Sequence, residues 1–144
     1  MSEPTHAERV LGDFVGNAGH VVAISVGIPD WELGRVTLRV AGDGAVRVEQ
    51  RGSAGDNDYT ATWAAARTER FAALLRDNAA LDLAPIPGDR LPDDVPVDVV
   101  VMDGEETVHS AALWHADREQ DPHLDAILTA VDDAVREVSG GALP

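Results

Sequence analysis

The alternation of apolar and polar residues is clearest between positions 35 and 50. In RVTLRV, Val36, Leu38 and Val40 alternate with Arg35, Thr37 and Arg39, and in AVRVEQ, Val46 and Val48 alternate with Arg47 and Glu49. A period of two puts the valines and leucine on one face of a strand and the charges on the other. Ala41-Gly42-Asp43-Gly44 supplies turn residues between the runs, so the pair predicts a hairpin with one wet face. Before it, HVVAISVGI (20–28) is apolar on both sides and bounded by Gly19 and Pro29, as in a central strand. After it, RGSAGDND (51–58) reads as a polar loop, and YTATW (59–63) as a further strand with Tyr59, Ala61 and Trp63 on one side. VDVVVM and TVHSAALWH flank Asp103-Gly104 as a second hairpin.

Three stretches switch to a helical period. Thr5 and Glu8 match a capping box ahead of Val10, Leu11, Phe14 and Val15, and Gly16–Gly19 stops that helix. TERFAALLRDN (68–78) puts Phe71, Leu74 and Leu75 on one side, with Thr68 as a candidate cap, although Ala64–Arg67 allows an earlier start. The last helix opens at Asp121 and runs through Leu124, Ile127, Leu128, Val131, Val135 and Val138 to Gly140-Gly141. Residues 83–96 hold four prolines and form no regular element. The predicted order is α-β-β-β-β-α-β-β-α. It implies an α+β fold of two layers, a mainly antiparallel sheet with helices packed on one face. The 144 residues suit a single domain with frayed tails at 1–4 and 142–144. In VDVVVM, Val100 and Met102 fall opposite Val97, Val99 and Val101, so a second layer or a partner chain must cover them. A symmetric homodimer is one way to do so.

Composition narrows the function by exclusion. There is no cysteine, so no disulfide, thiolate nucleophile or cysteine zinc site. No apolar run reaches membrane-spanning length, and MSEPTHAERV lacks the features of a secretory signal, so a cytoplasmic location is expected. The formal net charge is −15, and every basic residue is arginine. Residues 1–76 hold ten acids against eight arginines, and residues 77–144 hold sixteen against three. Such a surface repels nucleic-acid backbones and anionic membranes and suits a basic protein partner. Mimicry of a nucleic acid by spaced carboxylates is an alternative, but the acids are scattered over loops and helix ends.

The chain also resembles the emfourin type of small α+β proteins, which inhibit thermolysin-like metalloproteases. The likeness spans residues 34–138. It lies in the hairpin VTLRVAGDGAVRVEQRG, the helix ERFAALLRDNAALDL, the proline-rich stretch, the hairpin VDVVVMDGEETVHSAALW and the helix from DPHLDAI. Residues 1–33 depart from that pattern. The resemblance implies the fold and, as an expectation, an inhibitory role. No motif identifies inhibitory residues.

The chemistry-bearing residues concentrate in ALWHADREQDPHLDAIL (112–128). His115, Asp117, Asp121 and His123 lie within nine residues at a strand–helix junction, and a first-row metal wants three or four such ligands. Local structure competes for each of them. Asp121-Pro122 is a helix cap followed by proline at the first helical position, His123 and Asp125 fall in the first turn, and Asp117, Arg118 and Glu119 read as solvated loop. No HExxH spacing is present. Metal binding by this segment, or a small ligand there, is therefore the alternative reading and no cofactor is expected. Catalysis has no better support. No serine sits in GxSxG or SxxK, and Ser110 and His109 point to opposite faces of one strand. The expectation is a non-enzymatic protein-binding module, of inhibitor or immunity type. Its candidate contact residues are Trp31, in the loop IPDWELG, and the acidic pairs Asp93/Asp94 and Glu105/Glu106.

Overall fold

The computed structural model describes residues 3–32, 34–88 and 94–143. Six antiparallel strands form one sheet: β1 (His20–Val26), β2 (Arg35–Ala41), β3 (Ala45–Gly52), β4 (Gly55–Thr62), β5 (Pro96–Asp103) and β6 (Glu106–Trp114), in the spatial order β4-β3-β2-β1-β5-β6. Three α-helices, α1 (His6–Gly12), α2 (Ala65–Asp77) and α3 (Pro122–Val138), pack on one face, with short 3₁₀ turns at Ala80–Asp82 and His115–Glu119. The element order and the α+β architecture are those expected from the periodicity. Among the described residues no helix is long and apolar enough to cross a membrane.

Register explains the core. Ile24 lies between Leu38 and Val99, and Val22 between Val40 and Val101, with Val48 and Val46 one strand further out. All eight side chains are essentially excluded from water. Leu124, Ile127, Leu128, Val131 and Val135 of α3, Phe71 and Leu75 of α2, and Val10 and Leu11 of α1 close over these rows. Each such side chain contributes about 1.5–3 kcal/mol of transfer free energy, which makes this layer the main source of stability.

Helix starts follow local chemistry. The Thr5 hydroxyl accepts from the Glu8 amide at 3.1 Å and Glu8 reaches back to the Thr5 amide at 3.3 Å, so the capping box forms. The Asp121 carboxylate accepts from the His123 and Leu124 amides, with Pro122 opening α3.

Four local expectations change. The segment 51–58 is not a loop: β3 continues to Gly52 and β4 begins at Gly55, with Gly52 opposite Gly55. An edge strand bonded on one side needs no apolar alternation, so its polar residues hid it. Helix α2 begins at Ala65, and Thr68 is buried inside it, donating to the Ala64 carbonyl instead of capping. Asp117 lies in a 3₁₀ turn and is 4% exposed. Leu143, placed by sequence in a frayed tail, is 3% exposed in the core, its amide bonded to Ser139 Oγ.

Among the described residues no helix covers the sheet's other face. Val21, Ala23 and Ser25 of β1 point to it, as do Arg35, Thr37 and Arg39 of β2, Arg47, Glu49 and Arg51 of β3, and Asp98, Val100 and Met102 of β5. Arg39 Nη2 reaches Met102 Sδ at 3.9 Å and Arg35 Nη2 reaches Asp98 Oδ2 at 3.3 Å. Both arginines therefore cross β1 to meet β5, their stems lying over its small residues.

Candidate functional site

The region around Trp31 is built by close backbone approach. After β1, Gly27 turns at φ +104°, and before β2, Gly34 turns at φ +80°. A Cβ on Gly27 would stand 2.2 Å from the Gly34 carbonyl oxygen, and one on Gly34 would stand 2.0 Å from that of Arg51. Only glycine satisfies both the conformation and the space. Between them the Trp31 amide donates to the Ile28 carbonyl, and the Trp31 carbonyl accepts from the Ser53 amide at 3.0 Å. The β3–β4 turn thus holds the loop in place.

This arrangement leaves a cavity of about 350 Å³ between the end of the sheet and α3, lined by Val26, Val36 and Val95 from the sheet side, Val131 and Val135 from α3, and Trp31. Among the described residues Trp31 is the one large hydrophobic side chain left exposed, at 36%. One carboxylate stands on the cavity wall, and three more adjoin lining residues in the chain. Asp132 lines the cavity, Asp30 and Glu32 flank Trp31 in the chain and are exposed, and Asp94 precedes Val95.

The other sequence candidates do not join this site. Glu105 and Glu106 sit exposed at the β5–β6 turn, which bonds to Gly19 just before β1 and so lies at the opposite end of that strand. Asp93 lies outside the described residues.

The four residues of the 115–123 cluster each have a structural partner. His115 Nε2 accepts from Arg118 Nη1 at 3.2 Å, which occupies the lone pair a metal would take. Asp117 Oδ2 accepts from the Ile86 amide at 3.0 Å. Asp121 caps α3, and His123 Nδ1 donates to Asn78 Oδ1 at 3.1 Å, fastening α3 to the end of α2. Among the described residues no three histidine, aspartate or glutamate side chains are placed to hold a metal.

Arg118 ties that segment to α3. It bonds Asp125 at 2.7 Å and Thr129 at 3.0 Å and approaches Asp132 at 3.5 Å. Burial opposes its charge most strongly, yet Asp125 and Asp132 together raise its pKa above the ordinary arginine value. Arg118 thereby links the 3₁₀ turn to α3 and ends at Asp132, on the wall of the Trp31 cavity.

A second cleft, of about 550 Å³, opens between α1 and the start of β1. His6 Nε2 bonds Asp103 Oδ2 at 2.8 Å, and His20 Nδ1 bonds the Asp13 carbonyl at 2.9 Å. It is open to solvent, and among the described residues its lining holds no serine or threonine beside the histidines.

The sequence matches no protein-family model and no curated protein. The assignment of a role therefore rests on the geometry of this chain. His109 and Ser110 occupy opposite faces of β6, as their adjacency required, so they form no catalytic pair. Of the three tryptophans, Trp63 is buried against Phe71, edge to face at 5.8 Å, and Trp114 is half-buried at the end of β6. Among the three, Trp31 alone is exposed.

Proposed function

We propose that the chain is a non-enzymatic protein-binding module that acts in the cytoplasm as an inhibitor or immunity-type antidote. It seats an apolar side chain of a basic partner in the Trp31 cavity. The observation that carries this reading is the exposed Trp31 on the rim of an apolar cavity flanked by Asp30, Glu32, Asp94 and Asp132. A tryptophan held on a rigid rim is the composition of a binding hot spot, and the carboxylates select a cationic neighbour for the inserted side chain. The net charge of −15 steers such a partner from a distance. The resemblance to emfourin-type inhibitors supports the same class of role.

Selection of random displayed peptides against the protein tests it. The expected consensus is a leucine, isoleucine, phenylalanine or methionine next to lysine or arginine. Trp31→Ala should weaken those peptides by about tenfold or more, the order of a 2 kcal/mol hot-spot truncation. Affinity should also fall as salt rises from about 50 to about 500 mM. Acidic consensus peptides, or binding that ignores Trp31→Ala, would overturn the reading.

A further inference from the structure

The helix-free face of the sheet is divided into two halves. On β2, β3 and β4 it is a lattice of charges: Arg35, Arg39, Arg47 and Arg51 with Glu49, Asp56 and Asp58. Arg47 pairs with Glu49 and Asp58 at 3.2 Å, and Arg51 pairs with Asp58 at 2.8 Å. On β1, β5 and β6 it is mainly apolar, with Val21, Ala23, Val100, Met102 and Ala112 beside Ser25 and Ser110, and Trp114 opposite Pro96 at its end. Among the described residues Asp98 is the one charge in that half, and it pairs with Arg35. Four arginines thus share this face with four carboxylates, and its formal charge is zero. The formal net charge of −15 is carried by the other surfaces.

One group on this face lacks its complement. Arg39 has no carboxylate within ion-pair distance among the described residues; its guanidinium rests on the Met102 sulfur at the border of the two halves. An arginine at the edge of an apolar patch is suited to anchor a contact with a carboxylate supplied from outside.

We infer that this face closes against the same face of a second copy, giving a symmetric dimer, with Arg39 of each copy meeting a carboxylate of its mate. The charge distribution selects this occupant. Two copies of an acidic protein repel everywhere except where each is neutral, and a strongly basic partner gains more from the acidic surfaces than from this one. A twofold contact also supplies both members of each ion pair from one sequence, because the face holds arginines and carboxylates together. The size is sufficient. Six strands span about 28 Å and a seven-residue strand about 23 Å, a footprint of roughly 650 Å² before side-chain relief, close to the ~800 Å² per partner of a stable interface.

This surface and the Trp31 cavity respond to salt in opposite directions. Salt screens the repulsion between two acidic copies, so the dimer should tighten between about 20 and about 300 mM salt, while a basic ligand at Trp31 should weaken.

Sedimentation velocity on the full chain at about 100 µM protein and about 300 mM salt tests the inference. The expected result is a species of twice the 15.2 kDa protomer mass. Val100→Asp and Arg39→Glu should each return it to the protomer with an unchanged circular dichroism spectrum, and Trp31→Ala should leave it dimeric. Should Val100→Asp fail to fold, Ser110→Arg, at an exposed position of β6, serves in its place. A wild-type chain that stays at the protomer mass overturns the inference. So does a dimer that survives both folded variants, which would place the contact at an edge strand.

Discussion

Strand β1 is buried on both of its sides, by two different means. On one side Val22 and Ile24 lie under α1 and α3 in an apolar layer with almost no exposure. On the other, Val21, Ala23 and Ser25 are 7%, 9% and 6% exposed with no helix above them. There the cover is the stems of Arg39 and Arg35, which run from β2 across β1 to Met102 and Asp98. Side chains that keep their charge in water can dry a central strand without adding a layer. The two covers differ in kind: a packed layer of helices closes one side, and side-chain stems whose charged ends reach the surface close the other.

If that contrast is right, equal changes on the two sides have unequal effects. The largest belongs to Ile24→Ala, which should remove about 2–5 kcal/mol in denaturant unfolding because packed neighbours cannot collapse into the space. A smaller separation comes from adding volume. Ala72→Val, in α2 at zero exposure, should cost about 1–3 kcal/mol, whereas Ala23→Val should change stability by less, because arginine stems move aside. Equal losses at these two alanines would show the open side to be packed as rigidly as the core. Smaller again is Arg39→Ala, expected to cost under about 1 kcal/mol, with Arg39→Met recovering most of it; that recovery separates the stem's cover from the charge.

The smallest effect is on pH dependence. The Arg51 hydrogen bond holds the Asp58 carboxyl below its ordinary value on the open face, and the Arg67 hydrogen bond does the same for Glu137 on the helix side. A depressed carboxyl stabilises the fold in full above its unfolded pKa, about 4 for either residue, and loses that contribution as the pH falls through the folded value. Asp58→Asn and Glu137→Gln should each lower stability at neutral pH and flatten its decline in acid, read as melting temperature against pH. An unchanged acid slope in both variants would remove these pairs from the account.

Much of this frame was legible in the sequence because local and tertiary signals agreed. The period of two in 35–50 names a hairpin, the Thr5–Glu8 box and Asp121-Pro122 each name a helix, and the structure contains all four elements. The strand over 59–63 was legible, but its first residues, 55–58, were not, because their polar side chains answer to backbone pairing with β3 and leave no apolar trace. Asp117 was read as solvated because an aspartate among charged residues usually is. The missed signal was in the distant stretch Pro85-Ile86-Pro87, where two prolines leave Ile86 as the one backbone donor, and Asp117 satisfies it. Trp31 was legible as a candidate, but its cavity was not. Valines from β1, β2 and α3 look like ordinary core residues until the Gly27 and Gly34 turns part them from one another at the sheet's end.

Trp31 and its cavity are the proposed partner-binding surface. The most direct test is the affinity of a selected apolar–basic peptide for the wild type, for Trp31→Ala and for Val100→Asp, by calorimetry at low salt. Trp31→Ala should lose about tenfold or more and Val100→Asp should bind as the wild type does. Binding abolished by Val100→Asp and untouched by Trp31→Ala would move the partner to the open face of the sheet and contradict the account.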